Sequence, residues 1–187
     1  MIPASAEKER ELIESLRRGQ SSAKRTFYDL FHRYLAAVCA RYVSNNEDVN
    51  DLLQEVFIKI YTRFDSFDYR GTGSLQAWSR RIAVNEALQY LRGHKRMEQL
   101  PLDRYGDMPE PDETPDISEI PQQELLAMIR RLPDRYRAVF NLYIFEEMSH
   151  KEIAELLGIG ESSSASNLHR AKGLLTKWIH EYQGHER

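Results

Sequence analysis

The sequence predicts an all-α protein with two small helical domains joined by an acidic, proline-rich linker. Three observations lead to this fold class. Apolar residues recur at helical spacing on both sides of the linker, no segment shows sustained alternation of apolar and polar residues, and a proline-rich stretch interrupts the helical pattern. The 187 residues accordingly divide into predicted domains at 1–97 and 122–187, with the linker at 98–121.

The composition of residues 98–121 defines the linker. This segment holds five of the seven prolines and eight acidic residues, against a single basic residue, Arg104. Few apolar residues and many like charges bury too little surface to offset chain entropy, so we expect an extended or disordered segment. The net charge of −3 is therefore a composite, because residues 1–97 carry sixteen basic and twelve acidic residues, and residues 122–187 carry nine of each.

The N-terminal domain begins with three predicted helices. A short helix near residues 6–18 ends before Gly19, and a second runs from about 20 to 43. The third, from about 47 to 66, carries a continuous apolar stripe, and Ser44 to Glu47 fits an S-x-x-E capping box at its start. The stripe consists of Leu52, Leu53, Val56, Phe57, Ile60 and Phe64.

A fourth helix follows a loop that contains two glycines. The loop spans residues 67–73, and Ser74 is expected to cap the helix after it. Its expected buried positions are Leu75, Trp78, Ile82, Leu88 and Leu91.

The C-terminal domain contains a candidate helix-turn-helix. Pro133 can begin one helix, and a second S-x-x-E box, Ser149 to Glu152, opens another. Gly158 permits the positive φ of a tight turn, small Ala154 permits close approach of the helices, and the next helix begins near 161–163. On spacing alone, an ordinary helical hairpin fits equally well.

The surface of that last helix favours DNA binding. Its residues offer short donors and acceptors near the helix N-terminus and cations further along, which suit phosphates and base edges. Serines are also common at an unremarkable helix start. The polar set is Ser162, Ser163, Ser164, Ser166, Asn167, His169, Arg170 and Lys172.

No residue pattern indicates catalysis or metal binding. The sequence contains no P-loop, no H-E-x-x-H motif and no pair of cysteines, and its six histidines lack metal-ligand spacing. We therefore predict no enzymatic activity, no metal and no cofactor, with Cys39 as a small core residue. No stretch approaches the ~20 apolar residues of a membrane span, and no apolar signal segment begins the chain, so we expect a cytoplasmic protein without membrane insertion.

Both domains resemble the extracytoplasmic-function (ECF) sigma factors of the sigma-70 family. The N-terminal motifs resemble region 2 of that family, and the C-terminal motifs resemble region 4, in the family's order. The region 2 motifs are DVNDLLQEVFIKIY (48–61), Phe67, GSLQAW (73–78), RIAVN (81–85) and YLR (90–92). The region 4 motifs are LPDRYRAVF (132–140), IAELLGI (153–159) and LHRA (168–171).

The resemblance implies a region 2 helical bundle, a region 4 helix-turn-helix and the function of a bacterial RNA polymerase sigma factor. Such a subunit binds core polymerase, recognises and melts promoter DNA, and is usually held inactive by an anti-sigma factor. The implied partners are therefore core RNA polymerase, promoter DNA and an anti-sigma factor.

The resemblance also assigns roles to individual residues. Core polymerase docking is assigned to Asp48, Asp51, Leu52, Gln54 and Glu55. Contacts with the promoter minus-10 element are assigned to Ser74, Arg80, Arg81, Asn85, Arg92, Lys95 and Arg96. Contacts with the minus-35 element are assigned to Glu161, Ser162, Ser163, Ser166, Asn167, His169, Arg170 and Lys172.

A second function class stays open at this point. The chain could be an autonomous helix-turn-helix transcriptional regulator whose N-terminal helical domain senses a signal. Such a regulator needs neither an acidic docking helix nor a helix that combines Asn85 with arginines. Region 2 is therefore the feature that separates the two hypotheses.

Overall fold

The computed structural model describes residues 5–93 and 115–185. The chain divides into two compact units, Met1–Tyr90 and Leu91–Arg187. Over the described ranges it forms eight α-helices, one short 3-10 helix and no strand, which confirms the all-α fold class. None of the helices within these ranges is long and apolar enough to span a membrane.

The helices follow one another along the chain with short connections. The first four are α1 (Ala6–Arg17), α2 (Ser21–Tyr42), α3 (Asn46–Thr62) and α4 (Ser74–Gly93), with the 3-10 helix at Phe64–Ser66 between the last two. The last four are α5 (Gln122–Arg131), α6 (Asp134–Ile144), α7 (His150–Leu157) and α8 (Glu161–His185).

An aromatic core joins α2 to α3. The fully buried Phe27 ring stacks on Phe31 with centroids 4.4 Å apart, and meets Phe57 of α3 edge-on at 6.0 Å. The Tyr61 hydroxyl donates to the Lys24 carbonyl at 2.9 Å, which adds a polar link between the same helices. Burial of this face leaves the opposite face of α3 exposed.

Helix α3 differs from its prediction at both ends. The Asn45 side chain accepts a hydrogen bond from the Glu47 backbone N–H at 3.1 Å, so Asn45 is the N-cap and the predicted capping box from Ser44 is wrong. Serine and asparagine are about equally good caps, so the sequence could not choose between neighbours. At its other end α3 stops at Thr62, and the chain tightens into the 3-10 helix instead of continuing to residue 66.

A buried arginine holds the turn between α5 and α6. Arg137 is 2% exposed, and its guanidinium donates to the carbonyls of Arg130 at 2.8 Å and Leu132 at 3.0 Å. It also pairs with Asp134 in the first turn of α6. A buried charge is tolerated when it is paired and hydrogen-bonded, so Arg137 stabilises the entry to α6.

Residues 115–121 belong to the packed part of the second unit, although the sequence assigned them to the linker. Ile120 is 7% exposed in the same core as Leu132 and Leu175, and the Gln183 side chain donates to the Asp116 carbonyl at 2.7 Å. The proline and acid content of the segment concealed the core role of Ile120. Packed structure therefore starts before the predicted boundary at 122, and residues 98–114 of the predicted linker lie outside the described residues.

The buried thiol of Cys39 supplies a chemical test of the first unit. Burial raises the pKa of Cys39 to about 12, so little reactive thiolate exists near neutral pH. We expect native protein to resist a thiol-specific chromogenic reagent at about pH 8, and protein unfolded in guanidinium to react fully. Native labelling as fast as that of the unfolded chain would place Cys39 outside the core.

Candidate docking groove and nucleic-acid interfaces

Helices α3 and α4 border a groove with an acidic rim. Asp51, Gln54 and Glu55 are exposed on α3, whereas Leu52 is 6% exposed and supplies an apolar surface between them. Asp48, one turn earlier, is half-buried. The opposite wall belongs to α4 and was missed by the sequence analysis: it consists of Glu86, Gln89 and Tyr90.

Lys59 ties the two walls of the groove together. Its ammonium pairs with the Glu86 carboxylate and donates to the Gln89 side-chain oxygen at 3.3 Å. Because Lys59 neutralises Glu86, the negative charge of the rim comes from Asp51 and Glu55. The sequence could not reveal this wall, since Lys59 and Glu86 lie 27 positions apart.

One face of α4 carries most of the residues assigned to the minus-10 element. At 100° per residue, Ser74, Asn85 and Arg92 fall within about 40° of Arg81 around the helix. Arg81, Asn85 and Arg92 are exposed, so an amide lies between two guanidinium groups along one strip. Arg80 is half-buried on a different side of the helix. The remaining two assigned residues, Lys95 and Arg96, lie outside the described ranges.

The loop before α4 is held by α1. Glu9 of α1 is 2% exposed, and its two carboxylate oxygens accept hydrogen bonds from the backbone N–H groups of Gly73 at 2.8 Å and Leu75 at 3.0 Å. Glu9 therefore caps α4. The expectation that Ser74 caps this helix is wrong, because its hydroxyl oxygen instead accepts from the Arg70 N–H at 3.3 Å. A cap supplied from 64 residues away has no local sequence signature.

The predicted helix-turn-helix motif is present in the second unit. Ser149 and Glu152 form both bonds of the capping box at the start of α7. The helix ends at Gly158, whose φ of 68° lies in the left-handed region, and Ala154 is buried. These features confirm the roles that the sequence assigned to the box, the glycine and the alanine.

The N-terminal half of α8 presents a polar arc to solvent. Glu161, Ser162, Ser163, Ser166 and Lys172 are exposed, and His169 and Arg170 are half-buried. Asn167 requires a correction, because it is 2% exposed on the inner side of α8 and cannot reach a DNA groove from that position. The run of polar residues hid the fact that the helix turns this amide inward.

The inner side of α8 also carries an unexpected polar contact with α7. Ser164 is fully buried, and its hydroxyl lies 3.0 Å from Nδ1 of His150, the first residue of α7. The Tyr143 ring stacks on His150 with centroids 4.9 Å apart. The Ser164 contact joins α8 to α7, and the Tyr143 contact joins α6 to the same histidine.

Sequence comparison identifies the same two regions. Residues 27–97 match the family described as Sigma-70 region 2, and residues 122–175 match the family described as Sigma-70, region 4. RNA polymerase sigma factor SigZ of Bacillus subtilis is 30% identical over 153 residues, which cover 81% of this chain and 84% of SigZ.

Further relatives cover most of the chain. ECF RNA polymerase sigma factor SigW of B. subtilis is 28% identical over 184 residues, covering 90% of this chain and 95% of SigW. The ECF RNA polymerase sigma-E factor of Escherichia coli K12 is 29% identical over 172 residues, covering 86% and 88%. The solved structure of CnrH in complex with the cytosolic domain of CnrY is similar at a TM-score of 0.49 and 20% identity, over 92% of this chain and 97% of that one.

The capping box of α7 makes the stability of that helix depend on pH. Hydrogen bonds from the Ser149 hydroxyl and backbone N–H lower the pKa of Glu152 from its usual 4.5. A carboxyl with a lower pKa in the folded state contributes stability that is complete above 4.5 and is lost as the pH falls through the folded value. We expect Glu152→Gln to speed amide exchange in α7 near neutral pH, and the difference from the wild type to shrink as the pH falls below 4.5 and through the lower folded-state pKa.

The matched control is Glu155→Gln, which removes an exposed carboxylate of the same helix outside the box. It should leave α7 exchange at neutral pH nearly unchanged. Equal effects of the two substitutions would mean that Glu152 acts only as a general negative charge.

Proposed function

The chain belongs to the sigma-70 family, and on that basis we propose that it binds core RNA polymerase through the α3–α4 groove and promoter DNA through α4 and α8. As an ECF-type RNA polymerase sigma factor, it directs transcription initiation. The observation that carries the residue-level proposal is the presence, on one pair of helices, of an acidic groove and a separate strip of arginine and asparagine. An autonomous regulator would need neither, and the match to region 2 over residues 27–97 favours the sigma factor.

The chemistry of the groove suits a basic helical partner on core polymerase. Exposed Asp51 and Glu55 supply negative charge, Gln54 adds donor and acceptor groups, and Leu52 supplies apolar contact area. Complementary charge of this kind guides association and sets register. Asp48 and Asp51 also favour the positive N-terminal end of α3, but Gln54 and Glu55 lie too far along the helix for that effect to explain them.

The exposed strip of α4 suits the minus-10 element in its melted form. Arg81 and Arg92 can neutralise phosphates, and Asn85 between them can pair with the edge of an unstacked base. The loop before α4 is short and contains two glycines with positive φ, which allows its backbone to approach a base closely. Trp78 does not act as a stacking platform in this proposal, because its ring packs against Phe64 and Phe67.

Helix α8 suits duplex DNA at the minus-35 element. Its exposed serines can bond phosphates and base edges beside the helix N-terminus, and Arg170 and Lys172 supply positive charge about two to three turns after Ser162. Glu161 can accept from cytosine amino groups. Few cations are available on this helix, so we propose that most of the DNA affinity arises in the complex with polymerase.

Two further proposals concern the cellular location of the protein and its inhibition by a partner protein. A sigma factor acts where core polymerase and DNA are found, so we propose a cytoplasmic location, and the chain needs no catalytic residue of its own. We also propose an anti-sigma partner that covers the α3–α4 groove, since an exposed acidic rim with an apolar floor must be blocked to keep the subunit off core polymerase.

The function is tested by reconstitution with purified core polymerase on supercoiled promoter DNA, scored for open complex and transcript. We expect the wild type to support both only with core enzyme. Reversing two rim charges with Asp51→Lys and Glu55→Lys should weaken core binding by at least ~10-fold, because the groove would repel a basic partner. Asp29→Lys, a single charge reversal at an exposed site on α2, is the control for each of the two single reversals and should bind normally.

A footprint on duplex DNA without core enzyme, combined with no transcript in its presence, would establish the autonomous regulator instead. Normal core binding by the variant with both charges reversed would show that the groove is not the docking site.

The minus-10 role of α4 is tested by Asn85→Ala. We expect the variant to bind core polymerase normally but to bind a promoter with an unpaired minus-10 strand about 10-fold more weakly, because a base edge loses its amide partner. Fluorescence anisotropy of the holoenzyme on labelled DNA measures this affinity. Asn50→Ala removes an exposed amide from α3 and should bind the same DNA as the wild type does. Identical affinities for the two variants would contradict the role of Asn85.

A further inference from the structure

Helix α1 contacts both ends and the middle of the loop that precedes α4. At the start of the loop, the Arg17 guanidinium donates to the Phe67 carbonyl at 3.0 Å. In the middle, the Arg10 guanidinium lies over the Tyr69 ring, 5.1 Å from its centroid. At the end, the Glu9 carboxylate accepts from Gly73 and Leu75. Side chains from α1 therefore contact the loop at its start, middle and end.

The Glu9 contact needs both carboxylate oxygens. Each oxygen accepts from a different backbone N–H. Because the side chain is only 2% exposed, water cannot easily replace a lost hydrogen bond, and the unpaired group would lower the stability of the fold. An amide in its place has one accepting oxygen, and its NH2 group would face a backbone N–H. The pairing is therefore specific for a carboxylate of this length.

Besides these contacts, the Arg70 N–H donates to the Ser74 hydroxyl oxygen at 3.3 Å and the Ser74 N–H donates to the Gly71 carbonyl at 3.1 Å, and both of these bonds are local to the loop. Gly71 and Gly73 adopt φ of 121° and 87°, and a Cβ atom at either position would meet nothing within 4 Å. Glycines in open space permit many backbone conformations, so the observed one must be selected by its partners. The start of the loop is also fixed by Phe67, whose ring packs against Trp78.

We propose that α1 positions the minus-10 loop, with Glu9 and Arg17 as the positioning residues that pre-form its backbone for capture of an unstacked base. The proposal rests on the function proposed above for this loop. A loop that is already ordered loses less conformational freedom when it binds, so pre-organisation appears as affinity for melted DNA. Neither residue touches DNA in this mechanism.

Docking on core polymerase provides an independent readout. The α4 wall of the groove begins at Glu86, eleven positions after Leu75, which corresponds to about 16 Å along the helix. A change confined to the loop should therefore alter DNA opening and leave core affinity intact. A general loss of folding would lower both.

The test compares full-length Glu9→Gln and Arg17→Gln with Glu11→Gln, which removes an exposed carboxylate from the same helix. Each is assembled with core polymerase and measured for core affinity and for binding to promoter DNA with an unpaired minus-10 strand. We expect core affinity within about 2-fold of the wild type for all three. Binding of the unpaired strand should fall about 10-fold for Glu9→Gln, which disrupts a buried charged pairing, and roughly 3-fold for Arg17→Gln, which loses one part-buried hydrogen bond.

Amide exchange at Gly73 and Leu75 supplies a structural signature. It should accelerate in Glu9→Gln and stay unchanged in Glu11→Gln, because only Glu9 bonds these two groups. If Glu9→Gln fails to fold, the proposal is tested by Arg17→Gln alone. Arg17 is exposed, so this substitution leaves the core intact.

The outcomes separate the two proposals. If the wild type binds core polymerase and opens the promoter, but folded Arg17→Gln and Glu9→Gln bind the unpaired strand as Glu11→Gln does, the positioning role is overturned and the proposed function survives. If the wild type neither binds core polymerase nor opens the promoter, the proposed function is overturned and this inference with it.

Discussion

The buried carboxylate of Glu9 is the contact on which the arrangement of the first unit depends. The first backbone N–H groups of a helix lack partners within the helix, and a carboxylate removed from water needs donors. Placing Glu9 against Gly73 and Leu75 satisfies both requirements at once. The same contact determines where α4 begins, and with it the path of the loop before α4 and the position of Trp78 over the Phe67 ring.

Helix α4 contributes to three different surfaces, because its residues point in different directions around the helix axis. An inward stripe that includes Ala83 and Leu88 is buried in the core. Glu86 forms part of the groove wall, and Asn85, next to it in sequence, lies on the exposed strip. A rigid helix therefore joins the proposed docking surface to the proposed minus-10 surface. Binding of core polymerase along one side would restrain the orientation of the residues that meet DNA on the other.

In the second unit, buried polar contacts help to position the helices of the helix-turn-helix. Arg137 holds the start of α6 through hydrogen bonds to two carbonyls, and the Ser164 hydroxyl of α8 contacts the His150 ring of α7. Polar contacts of this kind are directional, so they fix the relative rotation of α7 and α8 more narrowly than apolar packing does. That rotation decides which residues of α8 face solvent, and it turns Ser162 and Ser166 outward and Asn167 inward.

Local information in the sequence determined most of the helices, the capping box at Ser149 and the turn at Gly158, because each depends on residues within a few positions of one another. Tertiary structure alone decided the cap of α4 by Glu9, the groove wall at Glu86 and the burial of Asn167. These features join residues far apart in the chain or depend on how one helix is rotated against another. A sequence pattern shows which residues share one face of a helix. Which other residues that face contacts is determined only by the packing of the helices.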